Sequence, residues 1–227
     1  MNYSDSNVVH VDTAIVNQEL AVAREDKYTG IELRLLPPYI KNNRTLKLWP
    51  FPGRASLYCC TIVISDIQNQ LVGSMDLHAF HRVGDREFLP IDKTIYYWRK
   101  HQKEHIAPQQ LHVMCAILKS KKGIRDVGKV FSSLNNDSKY KKVASKLANI
   151  VAHTVTSSIV VNIGLDILEI IGEYLGNIED KPLGMMIKSF THLHNDWEQP
   201  GITPIYINTK DVDFNLDLIV SHSNTAA

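Results

Sequence analysis

The chain has 227 residues, 44% hydrophobic and 22% charged, with a formal charge of +1. These proportions suit a globular protein and exclude a low-complexity or fibrous one, and a balance so near neutral names no acidic partner for the whole molecule. A chain this long buries roughly 70% of the surface its unfolded form exposes, so it needs no disulfide or metal staple.

The opening MNYSDSNVVHVD has neither the basic start nor the apolar run of a secretory signal. Cys59, Cys60 and Cys115, the first two adjacent in an apolar run, read as buried free thiols. Synthesis and residence in a reducing cytoplasm are the expectation. Residues 1–27 read as an N-terminal arm or a short helix. In TAIVNQELAVARED, Asp12 or Thr13 would cap it, and Ile15, Val16, Leu20 and Ala23 lie near one face.

From Tyr28 the period becomes two. YTGIELRLL (28–36) alternates Ile31, Leu33 and Leu35 against Glu32 and Arg34, and LPPYIKNN breaks the pattern. TLKLW (45–49) predicts a short strand, and WPFPGR (49–54) is turn punctuation. SLYCCTIVIS (56–65) is nearly all apolar and predicts a strand buried on both faces. LVGSMDLHAF (71–80), EFLPIDKTIYYW (87–98) and QQLHVMCAIL (109–118) follow, each after a polar turn. Strands at this spacing predict an antiparallel sandwich or barrel.

The period then changes to 3.6. Val127, Val130, Phe131 and Leu134 fall on one helical face, and NNDS (135–138) is a cap signal. One helix over 139–180 would be about 60 Å long, so a break is expected at TSS (156–158) or at Asn162–Gly164. Strands return as LGMMIKSFTHLH (183–194), GITPIYI (201–207) and DFNLDLIVS (213–221). The expected fold is mainly β with an α insertion. An antiparallel β-sandwich spans 28–122 and 181–221, a helical hairpin is inserted at 123–180, and 222–227 is a loose tail.

LANIVAHTVTSSIVVNIGL (147–165) has no charge and nearly the length of a membrane span. Asn149, His153, Asn162 and four hydroxyl residues make it a poor one, and Lys146 and Asp166 close its ends. It reads as parts of two amphipathic helices. Ile150, Val151, Val155, Ile159, Ile163, Leu168 and Ile171 are the candidate contacts for a membrane or a protein partner. Lys119, Lys121, Lys122, Lys139, Lys141 and Lys142 form a candidate basic patch, and 166–180 is acidic. Such arms neutralise each other in a hairpin, or the basic one meets an anionic membrane surface.

HQKEH (101–105) spells the inverted zinc-peptidase pattern, with His101 and His105 as ligands and Glu104 to activate water. It sits in a polar link that Pro108 closes, which suits a solvated connection better than a buried helix. Asp76 with His78, and His192 with His194, share strand faces if alternation holds. Tyr96, Tyr97 and Trp98 beside Arg99 and Lys100 read as strand-end packing and point away from nucleic acid.

NIEDKPLGMMIKSF (177–190), with Glu179, Asp180, Leu183, Gly184 and Ile187, resembles a stretch of the calcium-dependent lipid-binding β-sandwich of the protein-kinase-C kind. The resemblance implies an eight-stranded antiparallel sandwich that holds calcium through aspartates on loops at one end. Asp66, Asp85, Asp180 and Asp211 are the candidate loop positions. No organic cofactor is implied. The expected function is a non-enzymatic binding or assembly module, alone or self-associated. The alternatives are a pore-forming, toxin-like protein that inserts its helical segment, and a zinc hydrolase built on HQKEH.

Overall fold

The computed structural model describes residues 28–47, 49–50, 53–67, 70–100, 107–121, 125–149, 156–176 and 182–223. The expected N-terminal helix, HQKEH, Lys122, Ile150, Val151, Val155, Glu179 and Asp180 lie outside the described residues. One sheet is formed by β1 (Tyr28–Leu35), β2 (Tyr39–Ile40), β5 (Glu87–Phe88), β6 (Lys93–Arg99), β9 (Gly201–Asn208) and β10 (Val212–His222). The other runs β4 (Gln70–Val83), β3 (Ala55–Ile67), β7 (Gln110–Ser120), β8 (Gly184–Thr191). Every ladder is antiparallel. β2 continues β1 along β10: Leu35 pairs with Leu216, then Tyr39 with Asp213. Pro37 and Pro38 interrupt that ladder because proline has no N–H to give it.

Alternation builds two cores. Ile31, Leu33 and Leu35 face Phe214, Leu216 and Leu218 and, across the sandwich, Leu57, Cys59, Val63, Leu111, Val113 and Cys115. The opposite parity of β3 and β7, with Tyr58, Cys60, Ile62, Met114, Ala116 and Leu118, faces the helices. The molecule is therefore three layers, sheet on sheet on helices, and β3 and β7 are buried on both faces as their unbroken apolar runs predict.

The helices are α1 (Val127–Asn136), α2 (Ser138–Ala148) and α3 (Ser157–Leu175). Asp126 caps α1 by accepting from the N–H of Gly128 at 2.9 Å. Asp137 ends α1 and accepts from the Tyr140 N–H at 2.8 Å, so the NNDS signal stops one helix and starts the next. α2 and α3 run antiparallel, tied by Lys139 to Glu173 at 2.9 Å and by the Tyr174 hydroxyl to Asp137 at 2.5 Å. Val160, Ile163, Ile167, Ile170 and Ile171 of α3 are buried in the core it shares with the sheet. No helix among the described residues is long and apolar enough to cross a membrane.

Three local expectations need correction. Thr45–Lys47 is coil and Trp49–Pro50 a turn; the short strand is instead Tyr39–Ile40, inside the segment read as a break. β8 ends at Thr191, whose hydroxyl accepts the His194 N–H at 3.2 Å, so His192–His194 form a 3-10 turn and share no strand face. Asn162–Gly164 lies within α3; of the two places expected for a break it is TSS (156–158) that coincides with a helix end, Thr156 being the N-cap of α3.

Candidate functional site

At one end of the sandwich the loop between β2 and β3 stands on a tightly bonded neck. Asn43 is fully buried. Its amide nitrogen donates to the carbonyls of Gly53 at 2.9 Å and Val83 at 2.8 Å. Its amide oxygen accepts from the Thr45 N–H, and its own N–H donates to Asp85, both at 2.8 Å. The guanidinium of Arg44 donates to Asp211 at 2.7 and 2.9 Å. The legs of the loop pass so close that a Cβ on Gly53 would lie 2.7 Å from the Thr45 carbonyl oxygen.

Beyond this neck the described apolar residues of the loop, Leu46 and Trp49, are exposed. Leu46 is 78% exposed and Trp49 is 96% exposed, and Phe88 of β5, its ring tilted against Tyr39 with centroids 4.8 Å apart, is 62% exposed at the same end. An exposed Trp beside an exposed Leu runs against the burial that such residues favour and marks a contact surface. A cleft of about 550 Å³ opens next to it, lined by Lys41, Lys47, Arg54 and Arg86 against Asp85 and Glu87. The Lys119 ammonium reaches the Arg44 carbonyl at 2.8 Å, and exposed Lys121 follows β7 at this end. Lys41 pairs with Asp213, Arg44 with Asp211, Lys47 with Asp85 and Arg54 with Glu87, and the seven bases named at this end still outnumber these four acids, a balance that favours a positive local potential.

Of the three expected calcium positions among the described residues, two lie at this end of the sandwich and one at the other. Asp85 and Asp211 both attach to residues 42–44. Asp66 sits at the far end of β3, roughly 35 Å away at about 3.3 Å per residue, where it accepts the N–H groups of Gln109 and Gln110 at 3.1 and 2.8 Å. Burial pushes the Asp66 carboxyl up from its usual range. Burial also pushes Asp85 up, but the Asn43 N–H and Lys47 outweigh it and hold it down. No group of three or more His, Cys, Asp or Glu that would hold an ion occurs among the described residues.

Of the expected helical contacts, Ile163 and Ile171 are buried against the sheet and Leu168 is half-buried beside them; Ile159 is exposed. Among the described residues, the part of this face formed by Ile163, Leu168 and Ile171 packs against the sheet, and Ile159 remains outside that contact. The basic patch also divides. Lys119 and Lys121 belong to the loop end, Lys139 pairs with Glu173, and Lys141 and Lys142 are exposed on α2.

Two clusters bear on catalysis. His112 Nδ1 lies 2.8 Å from the Ser189 hydroxyl and its Nε2 lies 3.0 Å from Gln110. Burial lowers His112 to about 4. A neutral glutamine stabilises no imidazolium, so this chain of groups is a poor nucleophile system. Asp76 meets His78 at 2.8 Å and Lys93 at 2.5 Å, as alternation predicts for the first pair. Burial raises the Asp76 carboxyl, yet these two partners outweigh it and hold it at about 2.

Leu46 falls in the segment expected to be a short strand and Trp49 where that strand meets the expected turn, so neither stands out as a contact residue from the sequence. The signal in the sequence is a Trp placed directly before a proline-rich turn, with Lys47 and Arg54 on either side, a large apolar residue where a turn asks for none. Comparison with protein-family models, with curated proteins and with solved structures finds no match for this chain.

Proposed function

We propose that this chain is a non-enzymatic binding module that docks on anionic membrane surfaces through the loop end of its sandwich. The observation that carries the reading is Trp49, 96% exposed beside Leu46 on a loop whose neck is locked by Asn43. Trp and Leu enter the interfacial region, while Lys41, Lys47, Arg54 and Arg86 meet lipid phosphates. Each base near a charged surface contributes about 1 kcal/mol. Insertion of the helices, the toxin-like alternative, is less well supported, because the apolar face of α3 is already packed against β3 and β7.

Vesicle co-sedimentation tests the reading. Binding to phosphatidylcholine vesicles containing phosphatidylserine should exceed binding to phosphatidylcholine alone by about tenfold or more, and fall with salt. Trp49→Ala should weaken it by about tenfold without changing the fold. Lack of binding to the anionic vesicles at low salt would overturn the proposal and leave a protein partner as the occupant of this surface.

A further inference from the structure

We propose that the open edge of β4 binds an extended peptide, which joins the sheet as a further strand between α1 and β6. This site lies on a different face from the loop end, and either reading stands if the other fails.

The geometry of the cleft at β4 points there. Side chains alternate along a strand, so a cleft over one face meets every second residue. The cleft beside β4, about 440 Å³, meets six consecutive residues, Ser74 to Ala79. A space touched by both parities reaches around the strand's edge, where backbone groups point, while Thr61 and Val63 of β3 line its extension over the inter-sheet face. Among the described residues β4 is the terminal strand of its sheet, and its ladder with β3 runs without a bulge from Leu57 to Ile67. Alternate residues of such a ladder turn both N–H and C=O to the same side, so about three of the six offer a donor and an acceptor to the cleft. β9, an edge strand of the other sheet, carries Pro204, a device that blunts an edge. The cleft stretch of β4 has none.

The walls define the occupant. α1 contributes Val127 and Phe131 on one side; the other side is mostly polar, with Lys93 of β6 and Thr61 of β3 beside Asp76, and Ile95 and Val63 as its apolar members. An added strand has the same period of two, so its side chains divide between an apolar and a polar wall. Asp76 and Lys93 neutralise each other at 2.5 Å, so the polar wall favours hydroxyl and amide side chains over charged ones. The ligand is thus a segment of about six residues alternating apolar and neutral polar, bound by main-chain pairing.

Selection from a random-peptide display library on the immobilised full chain, followed by amide hydrogen exchange with the selected peptides, tests this. Selected peptides should alternate as stated. At saturation they should slow exchange of amides within 74–79 by about tenfold or more while leaving 202–208 unchanged. Phe131→Ala on the apolar wall and Ser74→Arg, a half-buried position of β4 that lines the cleft on the side of Asp76 and Lys93, should each weaken binding about tenfold; Tyr206→Ala on β9 should not change it. The second variant keeps the test decisive if the first disturbs the helix. Selected peptides that protect no amide in 74–79, peptides that bind as helices, or a library yielding no binder tighter than about 100 µM would each overturn the proposal.

Discussion

Asn43 holds the loop end through four hydrogen bonds, three from its buried amide. Asn43→Ala leaves the Gly53 and Val83 carbonyls and the Thr45 N–H without that partner. It should cost about 3 kcal/mol, read as a lower urea midpoint with an unchanged slope. His112 sets a pH dependence. Folded, burial lowers its pKa to about 4, whereas an unfolded histidine titrates near about 6.5. Below that value the unfolded chain takes up a proton that the folded chain refuses. Stability therefore falls as pH drops from about 6.5 to about 4, by about 3 kcal/mol. Asp66 acts in the opposite sense, since burial raises its carboxyl and protonation favours the folded state. Asp76, held at about 2, contributes stability that is lost only as pH falls below about 3.8. Urea midpoints measured across this range should fall less steeply in His112→Gln; an unchanged slope would assign the dependence elsewhere.

Two glycines set how closely elements approach, and they should respond differently to the same change. A Cβ on Gly164 of α3 would lie 3.1 Å from Met114 Cε, the far end of a flexible side chain. Alanine gains up to about 1 kcal/mol of helix propensity there, so Gly164→Ala should shift stability by less than about 1 kcal/mol. A Cβ on Gly184 of β8 would lie 2.7 Å from both Val212 Cβ and Thr209 Oγ1, where β8 meets β10 of the facing sheet. A β-branched side chain on a strand has little room to yield. Gly184→Ala should cost about 2 kcal/mol or more by forcing the sheets apart, and thermal unfolding of the two variants checks the order. Leu183–Gly184, part of the family-like stretch, thus has a packing role: Leu183 fills the inter-sheet core and Gly184 lets the strands close.

β3 and β7 each contribute to both cores, so the helical layer and the sandwich share their main supports. Helix loss by circular dichroism, exposure of Trp98 and Trp197 by fluorescence, and reaction of the three thiols should therefore coincide in one transition. Cys59 and Cys115 lie 3.5 Å apart, and their mutual hydrogen bond together with burial raises the Cys59 thiol; burial raises Cys60. Native protein should accordingly resist thiol reagents until it unfolds. A helical transition preceding the other two would show the insertion to be an independent unit.

Periodicity determined the layers. The switch from period two to 3.6 at Val127, and the unbroken apolar runs of β3 and β7, follow from side-chain geometry along one strand or helix, so they are legible without partners. The calcium positions, the helical contact face and the loop tip were not legible in the same way. Asp66, Asp85 and Asp211 are separated or paired by long-range ladders, and the stripe on α3 looks the same whether it faces a sheet or a membrane. Tyr39–Ile40 becomes a strand because β10 continues past a proline pair, and Trp49 is exposed because Asn43 binds Gly53 and Val83. These are contacts between residues distant in the chain, and only the tertiary structure decides them.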